Sequence, residues 1–87
     1  MPYSIQFKKS ALKVLYKLPK ETSQQIAHDI NNLAQNPRPN GFKKLKVLEN
    51  LYRIRAGNYR IVYQIHDKIL LVLVVLIGDR KDVYRNL

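Results

Sequence analysis

Polar and apolar residues alternate on both sides of Gly57-Asn58, a dipeptide typical of the two-residue turn of a β-hairpin. Closing the chain at this turn pairs Ala56 with Tyr59, Arg55 with Arg60, Ile54 with Ile61, Arg53 with Val62, and Tyr52 with Tyr63. Successive side chains of a strand point to opposite faces of the sheet. The pattern therefore predicts that Arg53, Arg55 and Arg60 share one face of this hairpin.

Two amphipathic helices are predicted in the first half of the chain. The first is expected from about Lys8 or Lys9 to Leu18, because Ala11, Val14, Leu15 and Leu18 form an apolar stripe at helical spacing. Pro19 ends this first helix and also suits the first turn of the next one. Ile26, Ile30, Leu33 and Ala34 recur at helical spacing and predict a second helix that ends before Asn36-Pro37.

Three further segments predict strands. Tyr3 to Phe7 alternates between apolar and polar residues, which is typical of a half-buried strand. Phe42 to Leu48 predicts a short, basic and irregular strand. The uninterrupted apolar run from Ile69 to Ile77 is typical of a central strand covered on both faces, and Gly78 is expected to end it.

Together these elements predict one α+β domain over residues 1–87 with the order β-α-α-β-β-β. We expect two N-terminal helices packed on a mainly antiparallel four-stranded sheet. The last residues form a short C-terminal tail that is either helical or irregular. No stretch of the sequence is long enough to be a linker between domains.

Composition narrows the class of protein. The chain has no cysteine, which excludes a disulfide framework and a thiolate metal site. Its longest apolar run is far shorter than the roughly 20 residues that a membrane helix needs. The first ten residues lack the apolar region of a signal peptide. We therefore expect a soluble, cytoplasmic protein with no membrane partner.

The net charge predicts an anionic partner. Lys and Arg number 16 against 6 Asp and Glu, a net charge of +10 on 87 residues. The predicted hairpin places Arg55 directly opposite Arg60, and like charges at such positions weaken a sheet. A sequence tolerates this repulsion when an anion normally binds there. RNA phosphate is the leading candidate, and the alternative is that these arginines are ordinary solvated charges at a sheet edge.

The element order, together with the segments YRIRAGNYRIVYQI and IGDRKDVY, resembles the RelE-like toxins of bacterial toxin–antitoxin systems. The resemblance covers nearly the whole chain. It implies a ribosome-dependent mRNA endonuclease (mRNA interferase) that enters the ribosomal A site, cleaves the mRNA there and so inhibits translation. It also implies a fold similar to that of microbial ribonucleases, no metal or other cofactor, and inhibition by a cognate RelB-like antitoxin.

Position by position, the resemblance implies a catalytic set made of Arg53, Arg55, Arg60, Arg80 and Tyr84. The first two positions are lysine in the best-known member of the family and arginine here. Further candidates for RNA contacts are Lys43, Lys44, Lys46 and Lys81. Simpler explanations stay open: Arg80 could pair with a neighbouring aspartate, and Tyr84 could anchor the tail on the sheet.

Cleavage of RNA without a metal uses the 2′-hydroxyl as nucleophile, so it needs a proton acceptor and cations for the developing negative charge. The two histidines, His28 and His66, are predicted far from the arginines and are interpreted as surface residues. Arginine does not release its proton, so Arg53 is expected only to stabilise charge. The proton acceptor stays open among water, ribosomal RNA, Tyr84 and Lys81.

The face that carries the arginines is also apolar further along the sheet. In a regular register, Leu71, Leu73, Val75 and Ile77 lie on it beside Val62, and so much apolar surface needs a cover. The C-terminal tail or an acidic antitoxin segment that folds on contact would provide one.

Two other functions remain open. A ParE-like toxin that poisons DNA gyrase without cutting RNA would share the fold, and a plain nucleic-acid-binding module would share the charge. Lysines 9, 13 and 17 on the first helix are interpreted as exposed charge, or else as contacts to the phosphates of a large RNA.

Overall fold

A mixed sheet forms the centre of the fold, and two helices cover one of its faces. The computed structural model describes residues 2–46 and 50–79. Within them the strands are β1 (Ser4–Phe7), β2 (Lys43–Lys46), β3 (Leu51–Ala56), β4 (Tyr59–His66) and β5 (Leu71–Asp79), and the helices are α1 (Lys9–Lys17) and α2 (Lys20–Asn32). The strand order is β1-β5-β4-β3-β2, with β1 parallel to β5 and all other neighbours antiparallel.

This arrangement confirms an α+β domain with two N-terminal helices on a mainly antiparallel sheet, but the predicted number of four strands is wrong. The short basic strand predicted over Phe42 to Leu48, after the NPRPNG loop (residues 36–41), is confirmed as β2, and it makes the sheet five-stranded by pairing with β3 through Lys43 and Arg53 and through Lys44 and Tyr52. The register then shifts before Lys46, which gives β2 the irregularity expected from its sequence.

β5 lies between β1 and β4, as its continuous apolar sequence predicted. It begins at Leu71, after a short 3₁₀ turn over Asp67–Ile69, and it continues to Asp79. The expectation that Gly78 ends the strand is wrong, because Gly78 still pairs with Arg60 of β4.

The main core lies between the helices and the sheet. Ala11 and Leu15 of α1 and Ile26 and Ile30 of α2 are buried, as their helical spacing predicted. From the sheet they meet residues that share the helix side, chiefly Ile54, Ile61, Tyr63, Ile65, Val72 and Val74. Neither described helix has the length and apolar character needed to cross a membrane.

A bulge in β5 changes which face its last residues occupy. The register shifts between Val62 and Tyr63 of β4, so that Val75 is an extra residue on β5. The shift turns Ile77 to the helix side, where it is only 2% exposed. The prediction that Ile77 shares the face of the arginines is therefore wrong, and Leu76 lies there instead, opposite Val62.

An ion pair joins the NPRPNG loop (residues 36–41) to the turn over Asp67–Ile69 that precedes β5. Both guanidinium nitrogens of Arg38 contact the Asp67 carboxylate, at 3.2 and 2.9 Å. The Tyr3 hydroxyl donates to the same carboxylate at 2.5 Å, and Arg38 also lies over the Tyr52 ring at 5.5 Å from its centre. These contacts hold three separate parts of the chain together at one end of the sheet.

This ion pair predicts a pH dependence of stability. Hydrogen bonds from Arg38 and Tyr3 lower the pKa of Asp67 to about 2. Since the folded-state pKa lies below the unfolded value, the contribution is complete above pH 4 and disappears as the pH falls towards 2. We expect urea titrations to show a difference in unfolding free energy between wild type and Asp67→Asn at pH 6, and most of this difference to be lost at pH 2. Arg38→Gln should lower the free energy of unfolding at pH 6 by a similar amount. If the effects of Arg38→Gln and Asp67→Asn were fully additive in the double variant, the two side chains would not stabilise the fold through their mutual contact.

Candidate active site

The β3–β4 hairpin gathers the three arginines on one face of the sheet. Its register confirms every predicted pair, including Arg55 opposite Arg60 and Arg53 opposite Val62. Gly57 takes a φ of +61° at the first turn position, a conformation that glycine adopts without steric cost. The helices pack on the other face, so these three residues, the arginine patch, lie on the side of the sheet away from them.

The arginine patch is unusual in its burial. Arg53 is 4% exposed and Arg60 is 8% exposed, and the Nε atom of each is buried without a hydrogen-bond partner. Leaving the donors of a buried cation unpaired is unfavourable, because they have lost their hydrogen bonds to water and have formed no others. An anion that reached these donors would supply the missing acceptor.

Arg55 is placed differently from its two neighbours. β2 pairs with β3 only as far as Arg53, so Arg55 lies at an open edge of the sheet and is exposed. Its register puts it on the face of Arg53 and Arg60, but at this open edge it also borders a cavity of about 300 Å³ on the helix side, lined by Asp29 and Asn32 of α2 and residues 39–41 of the loop. Arg55 is thus available to solvent at the border of the arginine patch.

No carboxylate in residues 2–46 and 50–79 forms an ion pair with the arginine patch. The one ion pair found within these residues joins Arg38 to Asp67. Asp79 is opposite Tyr59, which packs against the helix-side core. The positive charge of the patch is therefore not neutralised by the acidic side chains that the structure describes.

The other candidates for RNA contact are only partly brought together. Lys43 is exposed and lies opposite Arg53, on the face of the arginine patch. Lys44 lies opposite Tyr52 and so belongs to the other face of β2. The side chain of Lys46, and Arg80, Lys81 and Tyr84 altogether, lie outside the described part of the chain.

The histidines lie away from the patch. His66 is the last residue of β4, six positions beyond Arg60 and hence roughly 20 Å along an extended strand. Its Nε2 is 3.1 Å from the Gln64 side-chain oxygen, and His28 is exposed on α2. In the described residues, no three His, Cys, Asp or Glu side chains cluster so as to hold a metal ion.

An apolar strip runs beside the arginine patch on the same face. Leu51 and Val62 are buried at its centre, and the half-buried residues packed against them are Leu45, Val75 and Leu76. The sequence predicted an apolar surface here, and its β5 members are as expected except that Leu76 takes the place of Ile77. The face therefore combines positive charge with apolar area.

Sequence reasoning missed the role of Arg38. Its contact with Asp67 joins residues 29 positions apart, and no local periodicity connects them. The only signal was the position of Arg38 between two prolines in a loop, which says that the loop is stiff but not what it contacts.

Comparison with known proteins decides the family. A family model described as "ParE toxin of type II toxin-antitoxin system, parDE" matches residues 5–84. A putative RelE-like toxin protein of Escherichia coli is 38% identical, over 97% of this chain and 92% of its own length. The chain is a RelE-like toxin of a toxin–antitoxin system.

Further relatives of this RelE-like toxin are consistent with the assignment. The mRNA interferase toxin RelE of E. coli strain K12 is 32% identical, over 97% of this chain and 92% of its own length. A RelE–RelB complex from Pyrococcus horikoshii contains a chain that superposes with a TM-score of 0.83 at 27% identity, covering 93% of this chain and 98% of the other. A double mutant of E. coli RelE in the free state superposes with a TM-score of 0.79 at 30% identity, covering 98% of this chain and 93% of the other.

Proposed function

We propose that this RelE-like toxin is a ribosome-dependent mRNA endonuclease, which cleaves mRNA in the ribosomal A site by attack of the 2′-hydroxyl on the adjacent phosphorus. The proposal is supported most by the two buried arginines, whose Nε atoms lack partners on a face where no described carboxylate pairs with them. Two relatives that carry the name mRNA interferase point in the same direction.

The roles of the arginines follow from the charge that cleavage creates. As the 2′-oxygen attacks, negative charge grows on the non-bridging phosphate oxygens, and fixed cations aimed at them lower the barrier. Arg60 and Arg53 are held rigidly by burial and suit this task. Arg55, exposed at the sheet edge, suits the neighbouring phosphate.

The remaining steps fall to groups beyond the described residues. By resemblance, Arg80 would stabilise the departing 5′-oxygen, and Tyr84 would stack on a base or orient the sugar. Arginine does not accept a proton at physiological pH. The proton of the 2′-hydroxyl therefore goes to water, to ribosomal RNA, to Lys81 or to Tyr84.

A RelB-like antitoxin is proposed as the inhibitor. Several similar structures are complexes of RelE with RelB, from E. coli and from archaea. An acidic segment with apolar residues would match both halves of the face, with its carboxylates on the arginine patch and its apolar side chains on the half-buried members of the strip, Leu45, Val75 and Leu76.

A translation extract with end-labelled mRNA tests the proposed reaction. We expect cleavage of mRNA on ribosomes and little cleavage of the same RNA free in solution. The reason is that correct alignment of reacting groups can contribute about 7–11 kcal/mol to lowering a barrier, and a ribosome would supply that alignment. Equal cleavage of free and ribosome-bound RNA would contradict the dependence on the ribosome.

A second function, poisoning of DNA gyrase, is favoured by the ParE description of the matching family model. The two functions are separated by adding a gyrase supercoiling assay to the same protein preparation. Loss of supercoiling without any RNA cleavage would replace the first proposal by the second.

A further inference from the structure

Helix α1 carries a cationic face that the proposed cleavage reaction does not use. Lys9, Lys13 and Lys17 follow one another at four-residue intervals, on the side opposite the buried Ala11 and Leu15. All three lysines are exposed, and none is in an ion pair with a described residue. We name these three residues the lysine stripe.

Most of the lysine stripe works against the stability of its own helix, although Lys17 in the last turn suits the helix dipole. Like charges four residues apart on a helix repel each other. Lys9 adds positive charge at the helix N-terminus, where the dipole is already positive, and the first turn contains no acidic residue. The cap residue Lys8 makes no side-chain capping bond either. Such departures from favourable helix chemistry are expected where a surface serves a partner.

Tyr16 stands within the lysine stripe, three residues after Lys13 and one before Lys17. It is 78% exposed, more than any other large hydrophobic residue in the described part of the chain. Aromatic rings among cations are the usual means by which proteins hold unpaired nucleotides, since the ring stacks on a base and the cations bind phosphates.

We infer that α1 is a second, non-catalytic RNA-binding surface, on which Tyr16 stacks against an unpaired base and the lysine stripe binds phosphates of the same strand. Four residues of helix rise by about 6 Å, which is comparable with the step between successive phosphates of one RNA strand. An acidic protein partner is less well matched, because Leu12, the apolar residue one turn before the ring, packs against the core and leaves little apolar surface beside Tyr16 to extend a protein interface.

The two cationic surfaces lie on opposite sides of the sheet. The helices pack on one face of the sheet and the register places the arginine patch on the other, so the sheet itself separates α1 from the patch. The protein would therefore be held between two RNA surfaces. The identification of the RNA on α1 as ribosomal RNA rests on the proposed function. The ability of α1 to bind RNA does not.

Binding of a labelled RNA hairpin with an unpaired loop tests the inference. The RNA is 2′-O-methylated so that it cannot be cleaved, and affinity is measured by fluorescence anisotropy. Loss of one stacked base predicts that Tyr16→Ala weakens binding by about five- to a hundredfold, and Tyr16→Phe by at most about twofold. The double variant with Lys9→Gln and Lys13→Gln should have a slope of log Kd against log salt concentration that is lower by about 1.4, because each phosphate contact on a single strand contributes about 0.7.

Lys68→Gln is the matched control, because it removes one exposed lysine elsewhere and should leave both quantities unchanged. The inference would be overturned if Tyr16→Ala bound the RNA as tightly as the wild type does. It would also be overturned if Tyr16→Ala lost affinity for an acidic polypeptide but not for the RNA. The measurement needs no cleavage. If ribosomal cleavage is absent while the dependence on Tyr16 holds, the proposed function fails and this inference stands.

Discussion

Replacing Arg60 with alanine is expected to abolish growth arrest and to slow cleavage of ribosome-bound mRNA by about two to three orders of magnitude, the usual effect of removing one fixed donor from a developing negative charge. The same change should leave the free energy of unfolding unchanged or raise it, because it removes a buried cation whose Nε has no partner. Cleavage rates and urea unfolding of one preparation measure both effects.

Two variants make this expectation specific. Arg60→Lys keeps the charge but loses the planar fork, so we expect an intermediate rate. Arg38→Ala removes an arginine that pairs with Asp67 on another part of the fold, and it should cleave at the wild-type rate. Full activity in Arg60→Ala would exclude a catalytic role for the patch. An equal loss in Arg38→Ala would show that any loss of arginine, rather than the patch, matters.

Tyr63→Ala is expected to cause the largest loss of stability among single substitutions in the sheet. The ring is fully buried, stacks on Tyr52 at 6.0 Å between ring centres, and donates its hydroxyl to the Pro37 carbonyl at 2.6 Å. Removing a buried aromatic ring typically lowers the free energy of unfolding by about 3–5 kcal/mol. Tyr63→Phe keeps the ring and should lose only about 1 kcal/mol, the net contribution of one hydrogen bond.

Urea unfolding monitored by circular dichroism measures this difference. Tyr16→Ala is the matched control, because it removes the same side chain from an exposed position and should change stability by less than about 0.5 kcal/mol. If Tyr63→Phe lost as much stability as Tyr63→Ala, the hydrogen bond to the loop rather than ring packing would be dominant.

The hairpin was predictable to the residue because one local signal determined it. Gly57-Asn58 set the turn, and a two-residue turn leaves no freedom in the pairing of the strands that follow. Helical periodicity was similarly sufficient to identify Ala11, Leu15, Ile26 and Ile30 as core.

The bulge in β5 was not predictable, because every residue from Leu71 to Ile77 is apolar. Alternation identifies the two faces of a strand only when one face is polar, and this strand carries no such contrast. The pairing of β2 likewise depends on a partner strand, which periodicity within FKKLKVL does not reveal.

Of the predicted catalytic set, the structure confirms only that the three hairpin arginines share one face, because Arg80 and Tyr84 lie outside the described residues. Sequence alternation gives a face, so Arg53, Arg55 and Arg60 could be grouped before any coordinates. It does not give burial, which depends on how neighbouring strands end and pack. That is why the contrast between a solvent-exposed Arg55 and two buried neighbours emerged only from the structure.

The extra residue at Val75 has an evolutionary consequence. On either side of it the pairs already match, Val74 with Tyr63 and Leu76 with Val62. Deleting Val75 would restore a regular ladder without turning any other side chain to the opposite face, whereas a deletion elsewhere in β5 would invert every residue beyond it. Homologous chains should therefore tolerate differences in length at this one point of the strand, where an insertion or deletion leaves both surfaces of the sheet intact.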